Sequence, residues 1–178
     1  MVQFGRIFAV VNFKSDFIMQ KEKKIVYFDM DNVLVDFQSG LDKADPKEKE
    51  EHKGDEDEIP GIFSLMTPKE GAIEAVNILK QHFNVYILST APWKNKSAWS
   101  DKLEWVKKYF GGEEGDVFYK RLIISHNKQL NIGDYLIDDR DKNGAKEFTG
   151  ELIRFGSDKF KDWNSVVEYI LEKEGITR

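Results

Sequence analysis

The chain has 178 residues and a net charge of −5, which corresponds to one domain of ordinary size. The acidic balance argues against a nucleic-acid polymer or an anionic membrane as a partner. The absence of cysteine excludes disulfides and thiolate metal sites and favours a cytoplasmic location, and no apolar stretch approaches the roughly 20 residues that span a bilayer.

The amino-terminal segment, residues 1–18, contains an apolar patch that is not followed by a small-residue cleavage site. A signal peptide is therefore not indicated. Met19 stands just before four residues, three of them lysine, that lead into the first predicted strand. We expect the folded domain to begin at Met19 and residues 1–18 to be an extension without a catalytic role.

The first half of the chain predicts one strand and two helices. A short apolar run predicts a buried strand over Ile25–Asp29. A charged helix is expected over 38–53, with Pro46 near its start because proline is tolerated only in the first helical turn. Thr67–Glu70 has the pattern of a helix N-cap with proline at the first helical position. The helix that follows is expected to bury Ala72, Val76 and Leu79.

The second half continues the alternation of strands and helices. The predicted strands are Val85–Ser89, Leu122–Ser125, Tyr135–Asp138 and Leu152–Phe155. The predicted helices are Ala98–Tyr109, a short one that ends near Ala145, and Trp163–Glu172. Repeated strand–helix units imply a parallel sheet with helices on both faces. The fold class is therefore α/β, with three layers.

Two aspartates mark the end of the first predicted strand. Asp29 and Asp31 are separated by one residue, so both side chains reach the same side of the strand end. Open α/β sheets bind their ligands at the carboxyl ends of the strands. One carboxylate can act as nucleophile while the other transfers a proton, provided that their environments differ.

The segment from Asp29 to Val35, Asp-Met-Asp-Asn-Val-Leu-Val, resembles the first motif of the haloacid dehalogenase (HAD) superfamily of phosphohydrolases. The resemblance implies a Rossmann-like core with a central parallel sheet and a small cap inserted after the first motif. We assign residues 19–36 and 68–178 to the core and residues 37–67 to the cap. Residues 42–58 hold nine acidic residues and four lysines, which we interpret as a solvated helix and loop.

The remaining HAD motifs have counterparts at later strand ends. The second motif, a hydroxyl residue, corresponds to Thr90 with Ser89 as the reserve, and the third, a lysine, to Lys128. Asp138 and Asp139 match the fourth motif, which supplies carboxylates to Mg²⁺. The resemblance thus implies the catalytic residues Asp29, Asp31, Thr90 and Lys128, the phosphate-binding residues Ser89, Thr90 and Lys128, and the metal ligands Asp29, Asp31 (by its backbone carbonyl) and one of Asp138 and Asp139.

Within the superfamily the chain is similar to the 5′(3′)-deoxyribonucleotidases, the cytosolic type C 5′-nucleotidases. The similarity covers residues 24–174 and includes Pro-Gly-Ile-Phe63, Ser-Thr-Ala-Pro92 and Leu-Ile-Asp-Asp-Arg140. That family dephosphorylates nucleoside monophosphates with Mg²⁺ through an aspartyl phosphate. The candidates to line a base or sugar pocket are Phe37, Phe63 and Trp93, for which core or cap packing is the alternative.

Two departures from the family keep other functions open. The predicted cap is short and highly charged, and Ala91 stands where the characterised animal enzymes carry a hydroxyl. One alternative is a HAD phosphatase for a sugar phosphate or another small metabolite. The other is a non-catalytic regulatory domain that binds a phosphoryl group without turnover.

Overall fold

A computed structural model describes residues 22–177, so the predicted extension, residues 1–18, lies outside the described residues. Within this range the strands are β1 (Ile25–Phe28), β2 (Val35–Asp36), β3 (Thr67–Pro68), β4 (Asn84–Ser89), β5 (Leu122–Ile124), β6 (Tyr135–Asp138) and β7 (Glu151–Arg154). The helices are α1 (Phe37–Lys43), α2 (Pro46–Glu51), α3 (Ile62–Leu65), α4 (Ala72–His82), α5 (Ala98–Phe110) and α6 (Trp163–Lys173).

Five strands form one parallel sheet in the order β5-β4-β1-β6-β7. Alternate residues of β1 enter different hydrophobic clusters, because successive side chains point to opposite faces of a sheet. Val26 and Phe28 belong to the larger cluster and Tyr27 to the smaller one. Apolar packing therefore covers both faces, and the predicted three-layer α/β fold is confirmed.

A second, two-stranded sheet closes the segment that contains α1, α2 and α3. β2 and β3 pair antiparallel, with Val35 opposite Pro68 and Asp36 opposite Thr67. The single charged helix expected over 38–53 is instead two helices, α1 and α2. Pro46 occupies the first position of α2, and the extended backbone at Ala44 interrupts the helical path before it.

Two further helix predictions were wrong. Thr67 and Pro68 form β3 and do not cap a helix; α4 begins after Gly71, whose φ of 77° places it in the left-handed region. Residues 142–147 form turns where a short helix was predicted, because Asn143 and Gly144 have φ values of 53° and 79°. Within residues 22–177, no helix combines the length and apolar character that crossing a bilayer requires.

The register of the central strands determines which side chains meet. Phe28 pairs with Ile87 of β4 and with Ile137 of β6, and the Asp29 amide donates to the Ile137 carbonyl at 2.9 Å. Asp29 and Asp138, the residues that come directly after this last pair, therefore lie side by side at the ends of neighbouring strands. After Asp29 the chain turns sharply, since the amides of Val33, Leu34 and Val35 all donate to the Met30 carbonyl.

Candidate active site

Three aspartates gather where β1 and β6 end. Asp29 and Asp138 are buried and Asp139 is half-buried. One carboxylate oxygen from each lies within 4.8 Å of the others, close enough to bind a single cation. The strand register places Asp29 beside Asp138, and the residue after Asp138 completes the group. The structure thus brings together three of the residues that the sequence analysis named as metal ligands.

Lys128 lies against two of these carboxylates. Its Nζ is 3.0 Å from Asp29 Oδ1 and 2.5 Å from Asp138 Oδ2. The lysine is buried and begins a short 3₁₀ turn after β5, and its amide donates to the Asn143 carbonyl at 2.8 Å. Burial alone would lower the pKa of Lys128, but the charges of Asp29 and Asp138 outweigh it and raise that pKa. Lys128 is therefore a fixed cation beside Asp29.

Asp31 faces a different lysine. Lys102 Nζ donates to Asp31 Oδ1 at 2.9 Å and to Asp31 Oδ2 at 2.8 Å, and also to Ser89 Oγ at 3.0 Å. Lys102 lies on α5 and its side chain has no exposed surface, whereas the side chain of Asp31 keeps 13% of its surface exposed. Asp31 is therefore the member of this pair that reaches the crevice.

The environments of Asp29 and Asp31 shift their pKa values in opposite directions. Burial would raise the pKa of Asp29, but Lys128 and Lys102 more than offset it and hold the pKa of Asp29 below its usual value. Burial raises the pKa of Asp31, and the opposing effect of Lys102 is not enough to cancel it. Asp29 is held ionised, as a nucleophile requires, and Asp31 is better able to hold a proton.

The two predicted hydroxyls at the end of β4 differ in accessibility. Ser89 is fully buried and accepts the hydrogen bond from Lys102. Thr90 is half-buried, and its Oγ1 donates to the Ser125 carbonyl at 3.0 Å. Thr90 is thus the more accessible of the two residues, whereas Ser89 is buried against Lys102.

The carboxylate cluster has the properties of a metal site. Asp139 Oδ1 is buried and accepts no hydrogen bond, with Arg140 Nε 3.6 Å away. A buried oxygen without a donor is costly unless a cation occupies its lone pairs. Burial and the charge of Asp29 raise the pKa of Asp138 to about 6 and also raise that of Asp139. An additional positive charge at this point would relieve both.

The three aromatic side chains predicted for a substrate pocket lie in different surroundings. Phe63 is buried in the core, and Phe37 is half-buried with its ring 6.3 Å from that of Phe63. Trp93 is 84% exposed, and its ring lies 5.7 Å from that of His126. Phe37 and Phe63 therefore form one packed pair, and Trp93 lies with His126 on the loops that follow β4 and β5.

Sequence reasoning missed Lys102. The buried residues of α5 are Ala98, Lys102, Trp105 and Val106, which recur at helical spacing. A lysine on the apolar stripe of an amphipathic helix is unusual, because a buried charge needs a partner. That position was the signal available in the sequence.

The fold of the chain matches that of a solved structure. The chain superposes on the provisionally assigned HAD hydrolase YfnB from Bacillus subtilis, whose crystal structure is described as bound to magnesium. The TM-score is 0.56 at 11% identity, and the match covers 84% of this chain and 99% of YfnB. The central sheet and its flanking helices thus have the same fold as this HAD hydrolase.

Sequence comparisons define the family. The model for 5′ nucleotidase, deoxy (pyrimidine), cytosolic type C protein matches residues 52–167, more than half of the chain. A provisionally named 5′(3′)-deoxyribonucleotidase of Vibrio phage KVP40 is 59% identical in sequence, and the match covers 84% of this chain and 85% of the phage protein. The human cytosolic-type 5′(3′)-deoxyribonucleotidase is 28% identical, and the match covers 70% of this chain and 74% of the human protein. The chain belongs to this family of phosphoric monoester hydrolases.

Proposed function

We propose that the protein hydrolyses nucleoside monophosphates, with 5′(3′)-deoxyribonucleotides as the preferred substrates, through an aspartyl phosphate. The observation that carries this proposal is the pair Asp29 and Asp31 at the end of the central strand, Asp29 paired with Lys128 and Asp31 paired with Lys102. Membership of the nucleotidase family supports the class of substrate.

In the first step an Asp29 carboxylate oxygen forms a bond to phosphorus. The bond between phosphorus and the nucleoside oxygen breaks, its electron pair stays on that oxygen, and Asp31 gives the oxygen its proton. In the second step Asp31 takes a proton from water, whose oxygen attacks phosphorus and releases Asp29 and inorganic phosphate. Asp31 ends the cycle protonated again, so that protons and charges balance.

Lys128 and Thr90 are proposed to hold the phosphoryl group during these steps. Lys128 already lies 3.0 Å from Asp29 and is buried, so its charge acts where the phosphoryl oxygens develop charge. Thr90 is half-buried, whereas Ser89 is fully buried and accepts a hydrogen bond from Lys102. We therefore give Thr90 the direct contact with phosphate and Ser89 an indirect one.

A divalent cation is proposed for the carboxylate cluster. Asp29, Asp138 and Asp139 place three carboxylates at one point, where a phosphate would meet their negative charge. Asp29, Asp138, Asp139 and the Asp31 carbonyl would hold Mg²⁺, which prefers a few carboxylate oxygens. The ion would neutralise charge between Asp29 and the phosphoryl group. Magnesium in the YfnB structure supports this choice.

For the organisation of the chain we propose residues 37–67 as the cap over a core formed by residues 19–36 and 68–178. The pairing of β2 with β3 at the two ends of this insertion supports the division. Phe37, Phe63 and Trp93 remain our candidates for contact with the base or sugar. For location we propose the cytoplasm, since the chain has no cysteine and the human relative is named as cytosolic.

The test measures phosphate release from deoxy- and ribonucleoside monophosphates and from sugar phosphates, with Mg²⁺ and with EDTA. We expect release to be metal-dependent, strongest for deoxynucleotides, and reduced at least about 10³-fold by Asp29→Asn, because the nucleophile is lost. Asp158→Asn, at an exposed aspartate, is the matched control and should retain full activity.

Other outcomes would replace parts of the proposal. Release confined to sugar phosphates would keep the mechanism and refute the nucleotidase assignment. Failure of the wild-type protein to release phosphate from any substrate would favour the phosphoryl-binding alternative. Asp31→Asn should also abolish steady turnover, and unchanged turnover in that variant would contradict the role of Asp31.

A further inference from the structure

Lys102 is completely buried and all of its donors are used. An ammonium group has three N–H donors, and the acceptors of Lys102 are the two carboxylate oxygens of Asp31 and Ser89 Oγ. The ring of Phe63 also packs against this ammonium group, with its centroid 4.5 Å from Nζ. A charged group that is satisfied on every side holds its neighbours in one arrangement.

We infer that Lys102 is a positioning residue, which orients the Asp31 carboxyl group for proton exchange with the leaving oxygen. This inference rests on the proposed function and deepens it. With no exposed surface, Lys102 cannot touch a substrate and acts only through Asp31, whose side chain remains 13% exposed. Contact from one Nζ to both Asp31 oxygens fixes the position of the carboxyl group relative to α5.

The position of Lys102 also connects Asp31 to the segment that contains α3. Trp105 Nε1, on the same face of α5, donates to the Met66 carbonyl at 3.1 Å, and Ser97 Oγ accepts from the Gly61 amide at 2.8 Å. Phe63 lies between these two contacts in sequence and packs against Lys102. The orientation of Asp31 is therefore set jointly by α5 and by the proposed cap.

An apolar side chain would suit this position if packing alone were its purpose. Ala98, Trp105 and Val106 form the rest of the buried stripe, and burying an ion pair is often no more stabilising than a well-packed apolar residue. A lysine on this stripe thus brings little stability beyond what an apolar residue would provide. Its specific effect is the geometry that it imposes on Asp31.

Proton donation by Asp31 matters only when the leaving oxygen is strongly basic. A nucleoside leaves as an alkoxide and needs the proton, whereas p-nitrophenolate is weakly basic and leaves without it. The parameter kcat/KM reports the step in which Asp29 is phosphorylated and the leaving group departs, if that step is irreversible. Misorientation of Asp31 should therefore lower kcat/KM for nucleotides and spare kcat/KM for p-nitrophenyl phosphate.

The experiment compares wild type, Lys102→Met and Lys107→Met with saturating Mg²⁺. We expect Lys102→Met to lower kcat/KM for a deoxynucleoside 5′-monophosphate about 100-fold, and for p-nitrophenyl phosphate by less than about threefold. Lys107 lies on the same helix, is exposed and pairs with Glu104 at the surface, so Lys107→Met should change neither value. Thermal unfolding of each variant verifies that it is folded.

A second measurement follows the hydrolysis step, which also uses Asp31. With p-nitrophenyl phosphate, Lys102→Met should release a burst of p-nitrophenol close to one equivalent per enzyme and then turn over slowly, because water activation is impaired. If Lys102 had only a structural role, Lys102→Met would lower kcat/KM equally for the two substrates and would give no burst. If Lys102→Met does not fold, Lys102→Arg, which keeps the charge but alters the geometry, should lower the nucleotide value selectively by about tenfold.

The outcomes separate this inference from the proposed function. Equal losses for the two substrates, or no loss, in a folded variant would overturn the role of Lys102 while leaving the phosphatase activity established. If the wild type hydrolyses sugar phosphates in place of nucleotides, the comparison is made with that alkyl phosphate. A wild type that hydrolyses no phosphate monoester would overturn the proposed function itself.

Discussion

Asp138 couples the stability of the metal-free protein to pH. Its pKa is about 6 in the folded state against an ordinary 3.8, so the folded state keeps a proton that the unfolded state has released. The stability that this proton contributes is fully present at pH values below the ordinary pKa and is lost as the pH rises through about 6. In EDTA we expect the free energy of unfolding to fall by about 2 kcal/mol between pH 4 and pH 6.5, relative to Asp138→Asn.

Urea unfolding at several pH values measures this difference. The effect of Asp29 on stability has the opposite sign, because a lowered pKa adds stability at pH values above the ordinary pKa of aspartate. The comparison with Asp138→Asn separates the two effects. Saturating Mg²⁺ should abolish the decline in the wild type, since the ion favours the ionised carboxylate. A constant difference between wild type and Asp138→Asn across this range would contradict the raised pKa of Asp138.

Asp139 offers the buried oxygen that accepts no hydrogen bond, so it should contribute directly to metal affinity. We expect Mg²⁺ to raise the melting temperature of the wild type by binding the folded state. Asp139→Asn should weaken the apparent affinity for Mg²⁺ about tenfold or more, as read from the Mg²⁺ dependence of that shift. Asp141→Asn, two residues further on and exposed, is the control. If both variants responded to Mg²⁺ with the same shift in melting temperature, Asp139 would not be a metal ligand.

At the scale of the elements, the start of α4 depends on Gly71. Its φ of 77° favours glycine, and an added Cβ would lie 3.3 Å from Trp163 Cβ of α6. We expect Gly71→Ala to lower the free energy of unfolding by about 2 kcal/mol, because the substitution causes both backbone strain and a close contact. Gly61→Ala tests the strain alone, because Gly61 has a φ of 79° and no atom within 4 Å of the added Cβ.

Denaturant unfolding of the two alanine variants gives the comparison. Gly61→Ala should cost about 1 kcal/mol, the ordinary penalty for a left-handed alanine. Equal losses at the two positions would mean that α4 and α6 shift apart freely, and that their packing does not fix the start of α4.

The elements that sequence predicted well are those with local signals. β1 and β6 are short apolar runs that end in aspartate, and the predicted bounds are within one residue of the observed ones. Thr67 and Pro68 have the local pattern of a helix cap, yet they pair with Val35 and Asp36, which lie far away in sequence. A contact of that kind leaves no local pattern, so the prediction at this position had to fail.

At the scale of the whole molecule, the contacts within the candidate site that follow from the topology of the sheet could be predicted from the sequence. In a parallel sheet the carboxyl ends of the strands meet at one edge, so Asp29 and Asp138 could be brought together without coordinates. The contact between Lys102 and Asp31 depends on how α5 packs against the loop after β1. Packing of that kind is set by many side chains at once, and so it escaped prediction.

The central place of β1 determines when the protein can fold during its synthesis. β1 pairs with β4 on one edge and with β6 on the other, and both are made later than β1. At typical translation rates the edge that β6 covers stays open for on the order of ten seconds. An apolar strand with an open edge is prone to aggregate. A nascent chain that stops before Tyr135 therefore carries Asp29 but no complete site, and should need a chaperone to stay in solution.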